Sequence, residues 1–81
     1  MSLDAAEMRP VDGSPFRFGI VAARFNPELV EGLLGSARET LLAAGVKPEG
    51  ITVVRVPGSH EVPWAAQALA RGSQCDCVIG L

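Results

Sequence analysis

The chain has 81 residues, of which 48% are hydrophobic and 20% charged, and its formal net charge at pH 7 is −2. This composition excludes a disordered protein and favours one small soluble globular domain. The seven Lys and Arg residues are scattered singly, which argues against nucleic acid as a partner, and no apolar run is long enough to cross a membrane.

The first 15 residues show no pattern that predicts a helix or a strand. The segment MSLDAAEMRPVDGSP carries acids, Gly, Ser and two prolines. It lacks the apolar core of a signal peptide, and its acidic residues do not suit a transit peptide. We therefore expect a flexible N-terminal arm over residues 1–15, ordered only if a neighbouring chain binds it, and a single domain over residues 16–81.

The first predicted elements are a strand over residues 17–23 and a helix over residues 27–44. The strand is mostly apolar, which is typical of a buried strand. Asn26 is predicted to cap the helix through its side-chain oxygen, with Pro27 in the first helical position. Gly45 is a plausible left-handed stop for the helix. One apolar stripe follows the helical period and consists of Val30, Leu33, Leu34, Ala37, Leu41 and Ala44.

A second strand, a second helix and a third strand follow. The β-branched run 51–56 (ITVVRV) predicts the second strand, which Pro57-Gly58 ends. The second helix is predicted to have Pro63 in its first turn and to end at Gly72, and residues 75–81 are predicted to form the third strand. We expect the buried face of this helix to consist of Trp64, Ala65, Ala68 and Leu69. Trp64 suits either the core or a subunit interface, because its large apolar area favours both.

Cys75 and Cys77 are the only cysteines. Their spacing places both side chains on one face of the third predicted strand. They form neither a CxxC redox motif nor, on their own, a zinc site. We expect them to be reduced and buried, which indicates a reducing, cytoplasmic setting.

The predicted order is β-α-β-α-β, which defines an α/β fold. Short connections between alternating strands and helices imply parallel strands joined by right-handed crossovers. Ligands of such sheets bind outside the carboxyl ends of the strands. A three-stranded parallel sheet with two helices leaves an apolar edge or face uncovered, so we expect that the chain is part of a larger domain or that another chain completes it.

Two strand ends carry the residues that could bind a ligand. Phe25 could be a flat wall for a planar ring, or a hydrophobic staple beside the helix cap. Ser59, His60 and Glu61 could hydrogen-bond a polyol; alternatively, Ser59 caps the second helix and Glu61 complements its dipole. His60 is the only histidine, and a lone histidine in a turn is more often solvated than catalytic. We find no catalytic triad, metal-ligand set or nucleotide-binding glycine motif.

These residues resemble those of a known family. The segments GIVAARFN (19–26), VPGSHEVP (56–63) and DCVIGL (76–81), in this order and separation, resemble 6,7-dimethyl-8-ribityllumazine synthase over residues 18–81. The paired signals ARFN and VPGSxE are more specific than either motif alone. The resemblance implies a three-layer α/β/α sandwich with a flavodoxin-like parallel sheet, here only its N-terminal β-α-β-α-β portion.

The resemblance also implies an activity in riboflavin biosynthesis. The family condenses 5-amino-6-ribitylaminouracil with 3,4-dihydroxy-2-butanone 4-phosphate, needs no metal or organic cofactor, and forms homopentamers or 60-subunit icosahedral shells. By resemblance, Phe25 stacks on the pyrimidine, Asn26 lies beside it, and Ser59, His60 and Glu61 bind the ribitylamino substrate, with Glu61 hydrogen-bonding the ribityl hydroxyls.

The sequence departs from the family pattern in two ways. His60 occupies a position that is usually aromatic. The family's phosphate-binding Arg-Gly loop and catalytic histidine belong to a later segment that these 81 residues do not contain, so no catalytic residue is expected here. Two alternatives stay open: a non-catalytic assembly module of the same family, and an unrelated flavodoxin-like binding domain.

Overall fold

A computed structural model describes residues 11–72 and 75–81. Three strands, β1 (Phe18–Ala23), β2 (Ile51–Val56) and β3 (Cys77–Gly80), alternate with two helices, α1 (Pro27–Ala43) and α2 (Val62–Gly72). One turn of 3₁₀ helix precedes β2 at Pro48–Gly50, and another precedes α2 at Ser59–Glu61. The predicted β-α-β-α-β order is confirmed.

The three strands form one parallel sheet in the order β2-β1-β3. This order is the beginning of the flavodoxin-like arrangement, in which the chain reverses direction across the sheet after the second strand. β1 is therefore the central strand. It is also the most buried element, because five of its six residues, Gly19 to Ala23, are buried.

Each face of β1 packs under a different layer. Val21 and Ala23 cluster with Val56 of β2 and Ala65 of α2. Because side chains alternate along a strand, Ile20 lies on the opposite face. Further residues are buried outside this cluster. They lie on β1, on α1 and just beyond α1, and are Ile20, Ala22, Val30, Leu34 and Val46. The described chain is thus layered as helix, sheet and helix.

α1 ends as the sequence predicted. Gly45 has φ +93°, a left-handed conformation that suits glycine. The helix stops at Ala43, and the N–H of Gly45 donates to the carbonyl of Leu42 at 3.0 Å. One member of the predicted apolar stripe, Leu33, is 44% exposed and so does not lie on the buried face of the helix.

The predicted buried face of α2 was partly wrong. Ala65 is buried and Leu69 is half-buried, but Ala68 is exposed and Trp64 is 72% exposed. The face that packs on the sheet consists of Val62, Ala65, Ala66 and Leu69. Trp64 and Ala68 are four residues apart and so share the neighbouring face of the helix. Trp64 is therefore not a core residue of this chain.

The prediction that both cysteines are buried was wrong. β3 begins at Cys77, which is exposed, whereas Cys75 precedes the strand and is half-buried. The reason is the strand order, since β3 lies at the edge of the described sheet rather than at its centre.

Backbone and side-chain hydrogen bonds hold together the amino-terminal ends of the strands. The N–H of Arg17 donates to Oδ2 of Asp76 at 2.7 Å, and the N–H of Asp76 donates to the carbonyl of Arg17 at 2.8 Å. Nearby, the N–H of Gly13 donates to the carbonyl of Ala44 at 2.7 Å. Residues 11–15 of the predicted arm thus contact the end of α1, and residues 1–10 lie outside the described part of the chain.

Candidate functional site

The two predicted ligand-binding junctions lie at the same edge of the sheet. The parallel register pairs Ala23 at the end of β1 with Val56 at the end of β2. Neighbouring strands lie about 4.8 Å apart, so Phe25 and Gly58, each two residues beyond these partners, leave the sheet side by side. The N–H of Arg24 donates to the carbonyl of Val56 at 2.7 Å and extends the pairing beyond the last strand residue.

The third strand reaches this edge as well. The N–H of Leu81 donates to the carbonyl of Val21 at 2.8 Å, and its carbonyl accepts from the N–H of Ala23 at 3.1 Å. The backbone beneath Phe25 is therefore tied on both sides, to Val56 on one flank and to Leu81 on the other. This edge is a rigid platform.

Phe25 projects from the platform and is 74% exposed. A hydrophobic staple would cover the ring against the first turn of α1, so this exposure contradicts that alternative. An exposed ring above a fixed backbone can instead stack against a planar ligand.

Asn26 does not cap α1, contrary to the prediction. It makes no side-chain hydrogen bond to the helix, and its backbone is left-handed, with φ 54° and ψ 63°. A capping residue typically has an extended backbone, which aims the side-chain oxygen at the amides of the first turn. Pro27 does occupy the first helical position, as predicted.

Ser59, His60 and Glu61 form the 3₁₀ turn between β2 and α2, and all three are exposed. The cap alternative for Ser59 was wrong, because α2 begins only at Val62. The turn is closed by the N–H of Glu61, which donates to the carbonyl of Gly58 at 3.2 Å. Three consecutive polar side chains thus sit on a short fixed turn at the platform edge.

Gly58 is a residue of the candidate site that the sequence analysis does not single out. The Glu61 side chain folds back over it, so that a Cβ added at Gly58 would lie 3.3 Å from Glu61 Oε2. The absence of a side chain at Gly58 leaves room for this carboxylate. The sequence signal is the Pro57-Gly58 pair, which ends β2 and also lies within the VPGSxE segment that carries the family resemblance.

An ion pair lies beneath the platform. Arg55, the penultimate residue of β2, pairs with Glu31 of α1. The hydrogen bond from Arg55 lowers the pKa of the Glu31 carboxyl, and the same bond raises the pKa of Arg55. The pair joins the helix that follows Phe25 to the strand that precedes the turn.

The site is an open surface in this chain. Phe25 and all three residues of the Ser59–Glu61 turn are exposed. A cleft of about 250 Å³ lies instead at the opposite edge of the sheet, lined by Ser14, Pro15, Phe16, Arg17, Lys47, Glu49 and Gly50. We favour the carboxyl edge as the functional site, because ligands of parallel sheets bind there and the cleft contains none of the predicted site residues.

The described part of the chain contains neither a candidate metal centre nor a membrane-spanning helix. Within residues 11–72 and 75–81, no three His, Cys, Asp or Glu side chains lie close enough to hold a metal ion together. Neither helix of this part of the chain is long and apolar enough to span a membrane.

The fold and the site define a class: an α/β protein with a parallel sheet of flavodoxin-like order and a candidate small-molecule site at its carboxyl edge. Comparison with known proteins identifies the family. Residues 15–81 match the family model of 6,7-dimethyl-8-ribityllumazine synthase. The chain belongs to the 6,7-dimethyl-8-ribityllumazine synthase family.

Individual relatives agree with this assignment. The chain is 49% identical over 71 residues to the 6,7-dimethyl-8-ribityllumazine synthase of Paracidovorax citrulli, covering 88% of this chain and 46% of the relative. It is 51% identical over 65 residues to that of Aquifex aeolicus, covering 80% and 42% respectively. It is 47% identical over 81 residues to that of Kineococcus radiotolerans, covering 100% and 48%. The chain thus spans about half the length of these relatives.

Proposed function

We propose that this chain supplies the pyrimidine- and ribityl-binding part of a 6,7-dimethyl-8-ribityllumazine synthase. The reaction is the condensation of 5-amino-6-ribitylaminouracil with 3,4-dihydroxy-2-butanone 4-phosphate in riboflavin biosynthesis. The observation that carries the proposal is the juxtaposition at one sheet edge of an exposed Phe25 and the polar turn Ser59–Glu61.

The two parts of the edge suit the two parts of the pyrimidine substrate. The uracil ring is planar, and the Phe25 ring offers an exposed face for stacking. The ribityl chain carries several hydroxyls, and the Glu61 carboxylate can accept hydrogen bonds from them, with Ser59 and His60 beside it. Asn26 lies next to Phe25 in the same site.

The role of this part of the enzyme is orientation. Holding one reactant in a fixed pose on a rigid platform accelerates a condensation between two bound reactants, because the entropy of alignment is lost on binding rather than in the reaction step. Phosphate binding and proton transfer belong, by this proposal, to residues outside these 81, and the condensation uses no cofactor.

The protein works, we infer, as a homopentamer or a 60-subunit shell in the cytoplasm. The open surface around Phe25 supports this, since a neighbouring subunit would close it into a pocket. Trp64 and Leu29 support it too, because they are large apolar side chains that are 72% and 58% exposed in the single chain. Of the predicted arm, residues 1–15, the part that precedes the contact of residues 11–15 with the end of α1 would bind a neighbouring subunit.

The same exposed residues favour one second candidate, a family member that assembles without catalysing the reaction. Trp64 and Leu29 lie in the first turns of α2 and α1 and are not among the proposed pyrimidine contacts, so they would serve assembly whether or not the pyrimidine binds. The two candidates differ in one property, which is affinity for the substrate.

Titration calorimetry of 5-amino-6-ribitylaminouracil into the protein expressed from its complete gene tests the proposal. We expect binding that Phe25→Ala weakens about 5- to 150-fold, since stacking of a base on an aromatic side chain is worth about 1–3 kcal/mol. Phe16→Ala is the matched control: Phe16 is an exposed phenylalanine next to the other end of β1, and its loss should leave the affinity unchanged.

Light scattering on the same samples separates the two candidates. An assembled protein that binds no pyrimidine would refute the catalytic proposal and support the assembly module. A protein that binds the pyrimidine equally well with and without Phe25 would show that the site lies elsewhere.

A further inference from the structure

We propose that Asn26 is a positioning residue whose left-handed backbone, rather than its side-chain amide, fixes Phe25 for stacking on the pyrimidine. The inference rests on the proposed function and adds to it the device that orients the aromatic ring. It also explains why an asparagine that caps nothing stands between the sheet and α1.

The conformation of Asn26 is unfavourable on two counts. Among the described residues, it is the one non-glycine residue with a positive φ, at 54°. A side chain with a Cβ clashes with the following carbonyl in this region, although Asn tolerates it better than most residues. In addition, Pro27 follows, and a residue before proline prefers an extended backbone.

Strain of this kind persists only where the surrounding structure imposes it. Here the two ends of the junction are both fixed. The N–H of Arg24 is bonded to β2 through the carbonyl of Val56, and the carbonyl of Asn26 accepts the first helical hydrogen bond, from the N–H of Val30 at 3.1 Å. The chain must turn from the sheet into the helix within Phe25 and Asn26.

The turn therefore sets the direction in which Phe25 leaves the platform. If Asn26 left the left-handed region, either the start of α1 would rotate or the bond between Arg24 and Val56 would lengthen, and both changes would move the ring. Because the ring is 74% exposed, packing against other side chains restrains it little. The backbone of the junction is then the main restraint on its direction.

The side chain of Asn26 offers no other structural explanation. It makes no capping hydrogen bond and is exposed. What distinguishes Asn at this position is its tolerance of a left-handed backbone, which glycine shares and alanine lacks. This difference allows a decisive set of variants.

The variants are N26A, N26G and N26D in the protein expressed from its complete gene, with 5-amino-6-ribitylaminouracil as the probe. We expect N26A to bind it about fivefold more weakly, because alanine adopts the left-handed backbone less readily than asparagine does. N26G and N26D should bind close to wild type, because both residues accept the left-handed region. In turnover, N26A should raise the KM for the pyrimidine and change kcat little, since stacking is present before the reaction begins.

A contact between the side-chain amide and the substrate would give a different pattern. N26G removes the amide as completely as N26A does, so equal weakening by the two variants would overturn the proposal. Unchanged binding in N26A would overturn it as well. If N26A fails to fold, strong weakening in N26G or N26D would serve as the refuting result.

G45A provides the matched control for loss of stability. Gly45 also has a positive φ, at +93°, but it lies at the other end of α1, away from the site. We expect G45A to lower the thermal stability and leave the pyrimidine affinity unchanged; weakening equal to that in N26A would overturn a local role. Failure of the wild-type protein to bind the pyrimidine would instead refute the proposed function itself, and this inference with it.

Discussion

Replacing Gly58 with alanine should separate stability from binding, because the two effects have opposite signs. Gly58 has φ −153° and ψ 180°, an extended backbone that alanine adopts without strain. The added methyl restricts the unfolded chain and should therefore raise the free energy of unfolding by about 0.4–1 kcal/mol. The backbone thus offers no reason for glycine at this position.

The reason for glycine is the Glu61 carboxylate. The new Cβ would lie 3.3 Å from Glu61 Oε2, which is closer than an ordinary van der Waals contact. That oxygen is the end of a flexible side chain, so the crowding is relieved by a rotation of Glu61 at little cost in stability. A hydrogen bond to a charged group contributes about 1.5–3 kcal/mol, and partial misplacement of the carboxylate should weaken binding of the ribityl chain about fivefold.

Chemical denaturation and calorimetric titration with 5-amino-6-ribitylaminouracil measure the two effects on the same samples. The E61A background tests the cause: if Gly58 acts through Glu61, G58A should not weaken binding further once the carboxylate is gone. A G58A variant that loses more than about 1 kcal/mol of stability, or that weakens binding equally in both backgrounds, would refute the reasoning.

Four further outcomes follow from the structure. H60F should lower the KM for the pyrimidine, because it enlarges the aromatic surface at the turn; an unchanged KM would show that His60 does not contact the substrate. I20A should cost about 2–5 kcal/mol in denaturant unfolding, since Ile20 is fully buried in the central strand, and a loss under about 1 kcal/mol would contradict that burial. Trp64 fluorescence should become less accessible to acrylamide on assembly, and equal quenching in monomer and oligomer would exclude this residue from the interface. E31Q should lower the stability slightly at neutral pH, and the difference from wild type should shrink as the pH falls below 4.5. The hydrogen bond from Arg55 lowers the pKa of Glu31 in the folded state, so the stabilisation is present above its ordinary value and is lost as the pH falls through the folded value. A stability difference between E31Q and wild type that does not change with pH would show that Arg55 does not stabilise the carboxylate.

Local sequence signals predicted most of the backbone correctly. The β-branched run Ile51–Val56 is a strand over those same residues, and the left-handed stop at Gly45 ends α1. Both features depend on the backbone preferences of a few adjacent residues, which are visible in the sequence. The common edge of the two ligand junctions followed from the parallel topology, which the alternation of elements implied.

The errors arose where tertiary structure decides. The buried face of α2 was predicted incorrectly because the helix is rich in alanine, which marks no face clearly. The large apolar area of Trp64 suggested a core position, but Ala65 and Leu69 are the residues that pack on the sheet. The exposure of Cys77 depends on the strand order, which its own segment does not encode. Asn26 before a proline is typical of a helix cap; its left-handed backbone results from hydrogen bonds on both sides of it.

The two edges of the sheet differ in a way that itself argues for the location of the site. At the amino-terminal edge, reciprocal hydrogen bonds join Arg17 and Asp76, and the chain around Gly13 is bonded to the end of α1. At the carboxyl edge lie the left-handed Asn26 and a phenylalanine that is 74% exposed. Backbone strain opposes the stability of an isolated chain, and a ring as exposed as that of Phe25 contributes little to it, so their coincidence at one edge favours a ligand-binding role there. A ligand that stacks on Phe25 would recover part of that cost on binding, and this is why variants at the carboxyl edge should change affinity more than they change stability.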